Sequence, residues 1–301
     1  MHLGLAIENS MVAAAVVTDG GDFVWQNSYP IANNGLPSLL TSCNTLVDTA
    51  SRDNPGLNQT VGISAQNRFF DQLSPHDGLG YLASVDLKRN LQASLGCQAV
   101  LASPGQALAL YESCFGNAQQ SETACCLFLD DHVYGGVTVG QKLWRGAHNV
   151  VGAWGHMPLP WPVPHEFEGR DCWCGRSGCL EGFLSLGGLE NEYFDITQTK
   201  LGIHAIADAA DANDLVASSV LQVLDDRIGR TTAAIINMFD PDVIILGGRI
   251  AELNRLYLNV PRKWPGYLLI EQSKTQLLKA SHAPFSLAKG AAWLAASQPA
   301  S

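Results

Sequence analysis

The chain opens on alternating apolar and polar stretches of the kind a β-meander produces. Apolar runs at Leu3–Ile7 and Val12–Val17 flank Glu8-Asn9-Ser10, and Asp19-Gly20-Gly21 makes a turn before Phe23–Trp25. Helical spacing follows over Leu36–Thr49, with Leu39, Leu40, Cys43, Leu46 and Val47 on one face. "TVGIS" (Thr60–Ser64) reads as a short buried strand, a helix is predicted near Asp86–Leu95, and Gln98–Ala102 reads as the next strand. After a Ser-Pro-Gly corner a helix is predicted from Gln106 to about Cys114. The polar stretch "GNAQQSET" reads as a linker, and "ACCLFLD" and "GGVTVGQKLW" as further strands.

Residues 149–180 are rich in Gly, Pro, Trp and Cys with little periodicity, which predicts a loop region that needs something to hold it. From Ile206 onward the pattern turns helical. "DLVASSVLQVLDDRIGRTTAAIINMF" runs into Asp240-Pro241 and then the strand "VIILGG". "LAKGAAWLAASQ" predicts a small-residue helix that packs back on the first domain. Both halves open with a strand meander followed by helices, which points to a duplicated α/β fold. The expected division is residues 1–115 plus about 284–301 as an N-terminal α/β domain, and 116–283 as a C-terminal α/β domain carrying the loop.

Composition narrows the function. A chain of 301 residues with 47% hydrophobic content suits two ordinary domains or one large one. The formal charge of -10 and the lack of a Lys/Arg block argue against nucleic acid as a partner. The same imbalance works mildly against anionic ligands, although a local site overrides a global charge. No apolar run reaches the ~18 residues of a membrane span, and no basic segment precedes an apolar core at the N-terminus. No membrane partner and a cytoplasmic location are therefore expected.

Five of the eight cysteines (Cys43, Cys97, Cys114, Cys125, Cys126) sit in apolar or helical surroundings and read as small buried hydrophobes. The other three crowd together. With His156 they form H-x15-C-x-C-x4-C through Cys172, Cys174 and Cys179. Three thiolates and one imidazole make a structural zinc set, and Gly175 and Gly178 allow the tight turns such a knuckle requires. With every position filled by protein, the metal has no open site for Lewis-acid chemistry. The bland alternative is three reduced thiols in a loop beside an uninvolved histidine.

The segment "GAWGHMPLPWPVPHEFEGRDCWCGRSGCLEGFLS" resembles the ROK family of sugar kinases and regulators, and most of all its bacterial fructokinase (manno-/fructokinase) branch. That branch carries G-E-W-G-H-x-P-L-P-W followed by C-x-C-G-x-x-G-C-[IL]-E. "NMFDPDVIILGG", Asn237 to Gly248, is similar to the family's N-x-x-D-P-x-x-I-x-L-G-G near the adenosine. The resemblance covers essentially the whole chain. It implies a duplicated actin-like ATPase (ribonuclease H-like) fold, two domains around a cleft where a hexose meets ATP–Mg, and a homodimer. No helix-turn-helix precedes the first strand, so the repressor branch is not expected.

Carried over position by position, the motifs that hold the fold persist and those that touch the reacting groups change. The family's first phosphate loop, D-x-G-G-T-K, falls on Ala6-Ile7-Glu8-Asn9-Ser10-Met11. Its second, G-T-G-x-G-x-G, falls on Asp130, Asp131, His132, Val133, Tyr134, Gly135 and Gly136. A like-charge contact at ~4 Å costs about 1 kcal/mol in water and about 4 kcal/mol at an effective dielectric of ~20, so these carboxylates oppose a triphosphate. The aspartates also read simply as a solvated turn, or as ligands of a bridging Mg²⁺. The catalytic corner N-D-A-N falls on Ser103-Pro104-Gly105-Gln106, which puts Pro104 at the general-base position with Ser103 beside it. Proline has no proton acceptor, and the next acid is Glu112.

On the sugar side, Ala153 replaces a glutamate, while His156 and Glu181 remain as substrate-binding candidates. Glu181 reads equally as a helix N-terminal residue. The family's P-G near the first domain's strand reads Gln66-Asn67. Gly247 and Gly248 are the cofactor-binding candidates, and Asn237, Asp240 and Pro241 read also as a helix end before a buried strand. The expectation is a kinase-like scaffold with structural zinc, no intact cradle for ATP–Mg, and weak or no phosphoryl transfer. The alternative is an active ATP-dependent hexose kinase using atypical residues.

Overall fold

The opening meander forms as its alternation predicts. β1 (His2–Ile7), β2 (Met11–Val17) and β3 (Phe23–Pro30) run antiparallel. β4 (Thr60–Ser64) and β5 (Gln98–Ala102) add in parallel on the other side of β1, giving the order β3-β2-β1-β4-β5. The structure is a computed structural model that describes residues 1–8, 10–32, 35–65, 86–281 and 285–297.

Both faces of this sheet are covered, so its alternation is one of size rather than polarity. Leu3, Leu5, Ile7, Val12 and Val16 pack under α1 (Leu36–Asp53) and α2 (Leu87–Leu95). On the opposite face Ala6, Ala13 and Ala15 meet Ala288 of α9 (Ser286–Ala296). At Gly62 of β4 an added Cβ would stand 1.7 Å from the Ala291 carbonyl oxygen, so the helix lies against bare backbone.

The second sheet repeats the first. β6 (Thr123–Leu129), β7 (Val133–Val139) and β8 (Lys142–Leu143) are antiparallel, and β9 (Val243–Gly247) and β10 (Gln276–Lys279) add in parallel beside β6. The order β10-β9-β6-β7-β8 has the connectivity of the first sheet, so the duplication is present. One face packs on α4 (Glu181–Leu184), α5 (Leu186–Thr197), α6 (Ile203–Asp211) and the long α7 (Leu215–Phe239). Asp214 starts α7 by accepting from the Val216 and Ala217 N–H groups. α3 (Pro104–Phe115) covers the other face at β6 and β7 and packs on α9, so these two helices stand between the sheets. α8 (Arg255–Asn259) closes the second core.

Four boundaries differ from the sequence reading. α3 begins at Pro104, not Gln106, because Ser103 caps it and Gln106 closes the box. β7 begins at Val133, so the hairpin turn is only residues 130–132. Helix starts at Glu181 rather than Ile206; Gly187 and Gly188 mask α5, which Ser185 caps by accepting from the Gly188 N–H. β10 was not foreseen, since Leu277 and Leu278 among polar neighbours become a strand only by pairing with β9. No helix among the described residues is long and apolar enough to cross a membrane.

Candidate functional site

At the corner between β5 and α3 the side chains of Ser103 and Gln106 are engaged within the protein. The Ser103 hydroxyl accepts from the Gln106 N–H at 3.2 Å, and the Gln106 side-chain oxygen accepts from the Ser103 N–H at 3.1 Å. Gln106 Nε2 donates to the Asn149 and Val151 carbonyl oxygens, 3.2 Å each, tying the corner to the loop of the second domain. Pro104 fills the first helical position. The adjoining cavity, walled by Ser103, Tyr134, Asn149, Ala153 and His156, is about 20 Å³, room for about one water. Among the described residues no carboxylate lines it. Glu112 is wholly buried and accepts from the Asn117 N–H and from the Ser281 N–H and hydroxyl, so it braces α3 instead.

Glu181 is placed at the start of α4, 5% exposed, with both oxygens engaged. Oε1 pairs with His132 Nδ1 at 2.5 Å and accepts from Trp173 Nε1 at 3.2 Å, and Oε2 accepts from the Val133 N–H at 2.8 Å. The carboxylate therefore locks the β6–β7 turn to the cysteine loop.

The turn's aspartates are ion-paired rather than merely solvated. Arg249 Nη2 lies 2.5 Å from Asp130 Oδ1 and 2.6 Å from Asp131 Oδ1, and its backbone N–H donates to Asp130 Oδ2 at 2.8 Å. This ties the β6–β7 turn to the turn after β9. Gly248 takes φ +84° there, and a Cβ on it would stand 2.2 Å from the Leu129 carbonyl oxygen. Gly247 abuts Leu108 of α3 in the same way. Both glycines, with Asp130, Arg249 and Glu8, line a cavity of about 290 Å³ between the domains. Desolvation by the cleft walls and the facing Asp130 carboxylate raise the pKa of Glu8, whose side chain is still exposed. Beyond Arg249 a larger groove of about 1030 Å³ is lined by His132, Trp173, Ser185 and Glu190. Asn9, Gln66 and Asn67 lie outside the described residues.

His156, Cys172, Cys174 and Cys179 come together with all ligand atoms within 4.8 Å of one another. Two thiolates on a tetrahedral zinc with ~2.3 Å bonds stand about 3.8 Å apart. Cys174 Sγ and Cys179 Sγ are 3.8 Å apart, and Cys172 Sγ is 3.5 Å from His156 Nδ1. The donor set and spacing suit a metal ion, and the four residues could hold one. Gly175 (φ +82°) and Gly178 (φ +76°) turn the backbone as required. The loop has a second anchor in Glu166, buried between Arg227 (2.7 Å) and Arg230 (2.9 Å) of α7.

Asn237 and Asp240 serve the end of α7: Asp240 is its left-handed cap, and Asn237 Nδ2 donates to the Tyr267 carbonyl oxygen at 2.9 Å. Sequence reasoning missed Arg249, His132 as the partner of Glu181, and Glu166. Ser-x-x-Gln at 103–106 was the one local signal available, a helix-capping pattern.

The ROK family model matches residues 3–298. The chain is 25% identical over 304 residues to the N-acetyl-D-glucosamine kinase of Escherichia coli O1:K1 / APEC, covering 98% of this chain and 99% of that one. It is 26% identical over 305 residues to the N-acetyl-D-glucosamine kinase of Haemophilus influenzae (strain 86-028NP), with the same coverage of 98% and 99%. The solved ROK hexokinase from Thermus thermophilus superposes with a TM-score of 0.81 at 22% identity, covering 97% of this chain and 96% of that one. The ROK family glucokinase from Streptomyces griseus, in complex with glucose and AMPPNP, gives 0.74 at 23%, covering 97% and 98%. These curated relatives are N-acetyl-D-glucosamine kinases rather than fructokinases, so the likeness holds at the level of the family. With its duplicated two-domain α/β fold of the actin-like type and a match over nearly its whole length, the chain belongs to the ROK family.

Proposed function

We propose that this chain is a sugar-kinase-like protein with little or no phosphoryl transfer, whose cleft holds a carbohydrate or a partner. The observation that carries the reading is the corner before α3. Pro104 stands where the resemblance puts the general base, and no carboxylate among the described residues lines the cavity beside it. A base has to come within about 2.6–3.2 Å of the proton it removes, and a prolyl ring offers none. The phosphate side supports the same reading, since the Asp130 carboxylate occupies the Arg249 donors that an anion would otherwise use.

In this reading zinc in the His156, Cys172, Cys174 and Cys179 cluster fastens the loop and takes no part in chemistry. His156 and Glu181 are the remaining sugar-side residues, and Gly247 and Gly248 shape the nucleotide side. The division at residues 115/116 and about 284, and a homodimer, complete the proposal; size exclusion with light scattering tests the dimer.

The second reading is an active ATP-dependent hexose kinase of the fructokinase or N-acetylglucosamine kinase type, with Glu8, Asp130 or Asp131 carrying Mg²⁺. Full-length likeness to the N-acetyl-D-glucosamine kinases favours it. A coupled ADP-release assay over fructose, glucose, mannose and N-acetyl-D-glucosamine separates the two. Turnover above ~10⁻² per second, against about 1–100 per second for kinases, establishes the second reading and ends the first.

A further inference from the structure

Acidic residues outnumber basic ones in this chain, 28 to 18, and its inward-facing arginines reflect that excess. Arg170 pairs with Glu192, Arg227 and Arg230 with Glu166, and Arg255 with Asp225. Arg145 is the exception. It is half-buried, and among the described residues its guanidinium meets only neutral oxygens. Nε donates to Asn149 Oδ1 at 2.8 Å and Nη2 to the Leu101 carbonyl oxygen at 3.3 Å. Burial lowers its pKa.

The position is as telling as the lack of a counter-charge. Leu101 lies in β5 just ahead of Ser103, and Asn149 lines the small cavity behind that corner. One orienting oxygen, that of Leu101, is a backbone carbonyl of β5; the other is the Asn149 side-chain Oδ1, on a residue whose own backbone carbonyl accepts from Gln106. A partly desolvated cation is costly unless an anion faces it. Two neutral acceptors on one side hold the planar fork in a single orientation, which suits paired oxyanion recognition.

We propose that Arg145 is the seat for an anionic group and that the cleft takes an acidic sugar, a hydroxylated ring bearing a carboxylate or a phosphate monoester. The sugar half of this rests on the cleft's proposed function; the anion seat does not. The cavity behind Ser103, which Asn149 shares, is too small for a ring, so the proposal has the ring outside it with its charged group toward Arg145.

The test is thermal shift and calorimetry at constant ionic strength with glucose 6-phosphate, glucuronate, glucose and inorganic phosphate. The wild type should be stabilised more by at least one of the two acidic sugars than by glucose, and the stronger of the two identifies the oxyanion. Arg145→Met, shown folded by circular dichroism, should bind that sugar roughly ten- to a hundredfold more weakly, while exposed Arg262→Met binds as the wild type does. A variant that binds it as tightly as the wild type, or a wild type indifferent to all three anions, overturns the proposal. If Arg145→Met does not fold, Arg145→Lys keeps the charge and loses the fork. It should weaken oxyanion binding and leave any glucose shift intact, and unchanged oxyanion affinity overturns the proposal. A shift with inorganic phosphate but with no sugar keeps the seat and removes the sugar reading of the cleft.

Discussion

In the loop from His156 to Cys179, buried groups answer one another: three thiols and an imidazole converge, and Glu166 sits between two arginines of α7. The turns facing the interdomain cleft are built differently. Asp130 and Asp131 both pair with Arg249, and Glu8 faces Asp130 with its pKa raised. One region pairs its buried carboxylate with buried arginines, while the other keeps an excess of negative charge where the family's resemblance places phosphates.

That contrast can be broken or sharpened by experiment. Metal removal has the largest expected effect. A structural zinc contributes on the order of 10 kcal/mol in small peptides, and less where a loop has a second anchor. A strong chelator should lower the melting temperature and expose residues 157–171 to protease. An unchanged melt together with a metal-free protein by elemental analysis sinks the metal reading. Glu166→Gln comes next, since it removes the carboxylate shared by two buried guanidinium groups, which keep only Glu192 and Asp226; urea unfolding should show a loss of about 3 kcal/mol.

The same carboxylate gives a pH test. Burial alone would raise its pKa, but hydrogen bonds from Arg230 and Arg227 outweigh it and hold it at about 2, below the usual 4.5. Because the folded value is the lower one, the stabilisation is whole above pH ~4.5 and is lost as pH falls toward ~2, about 3 kcal/mol in all. Stability measured down that acid limb should flatten in Glu166→Gln. On the cleft side the effects shrink. Arg249→Ala removes exposed pairs and should cost less than ~1 kcal/mol, with a drop that fades in high salt. Glu8→Gln should have the opposite sign. Desolvation and Asp130 raise that carboxyl's pKa, so its charge works against the fold at neutral pH, and the variant's melt should rise. A fall would mean the like-charge account of the cleft is mistaken.

The sequence showed most of what is local. The β1–β2–β3 meander follows from period-2 runs and Gly-rich turns, α7 from its Asp214 start and helical spacing, and the convergence of His156 with three cysteines from thiols spaced two and five residues apart. Pairs joined only by tertiary structure were invisible. Asp130 and Arg249 are 119 positions apart and His132 and Glu181 are 49 apart, and nothing in the spacing of such residues says they meet. α5 stayed hidden for a different reason: two glycines lower its local propensity, and burial of Leu186, Leu189 and Tyr193 overrides that. The empty corner at Pro104 was legible, but its full use as a helix cap was not.

The bare backbone of Gly62 and the alanines beneath α9 also bear on how the chain is made. The first sheet is synthesised early, yet the helix that covers one of its faces comes only after the entire second sheet. Until then a row of small residues in β1 and β2 faces solvent with nothing large enough to bury it. Emergence of α9, rather than of the first half, should therefore mark when that face becomes protected, a departure from the usual N-terminus-first order.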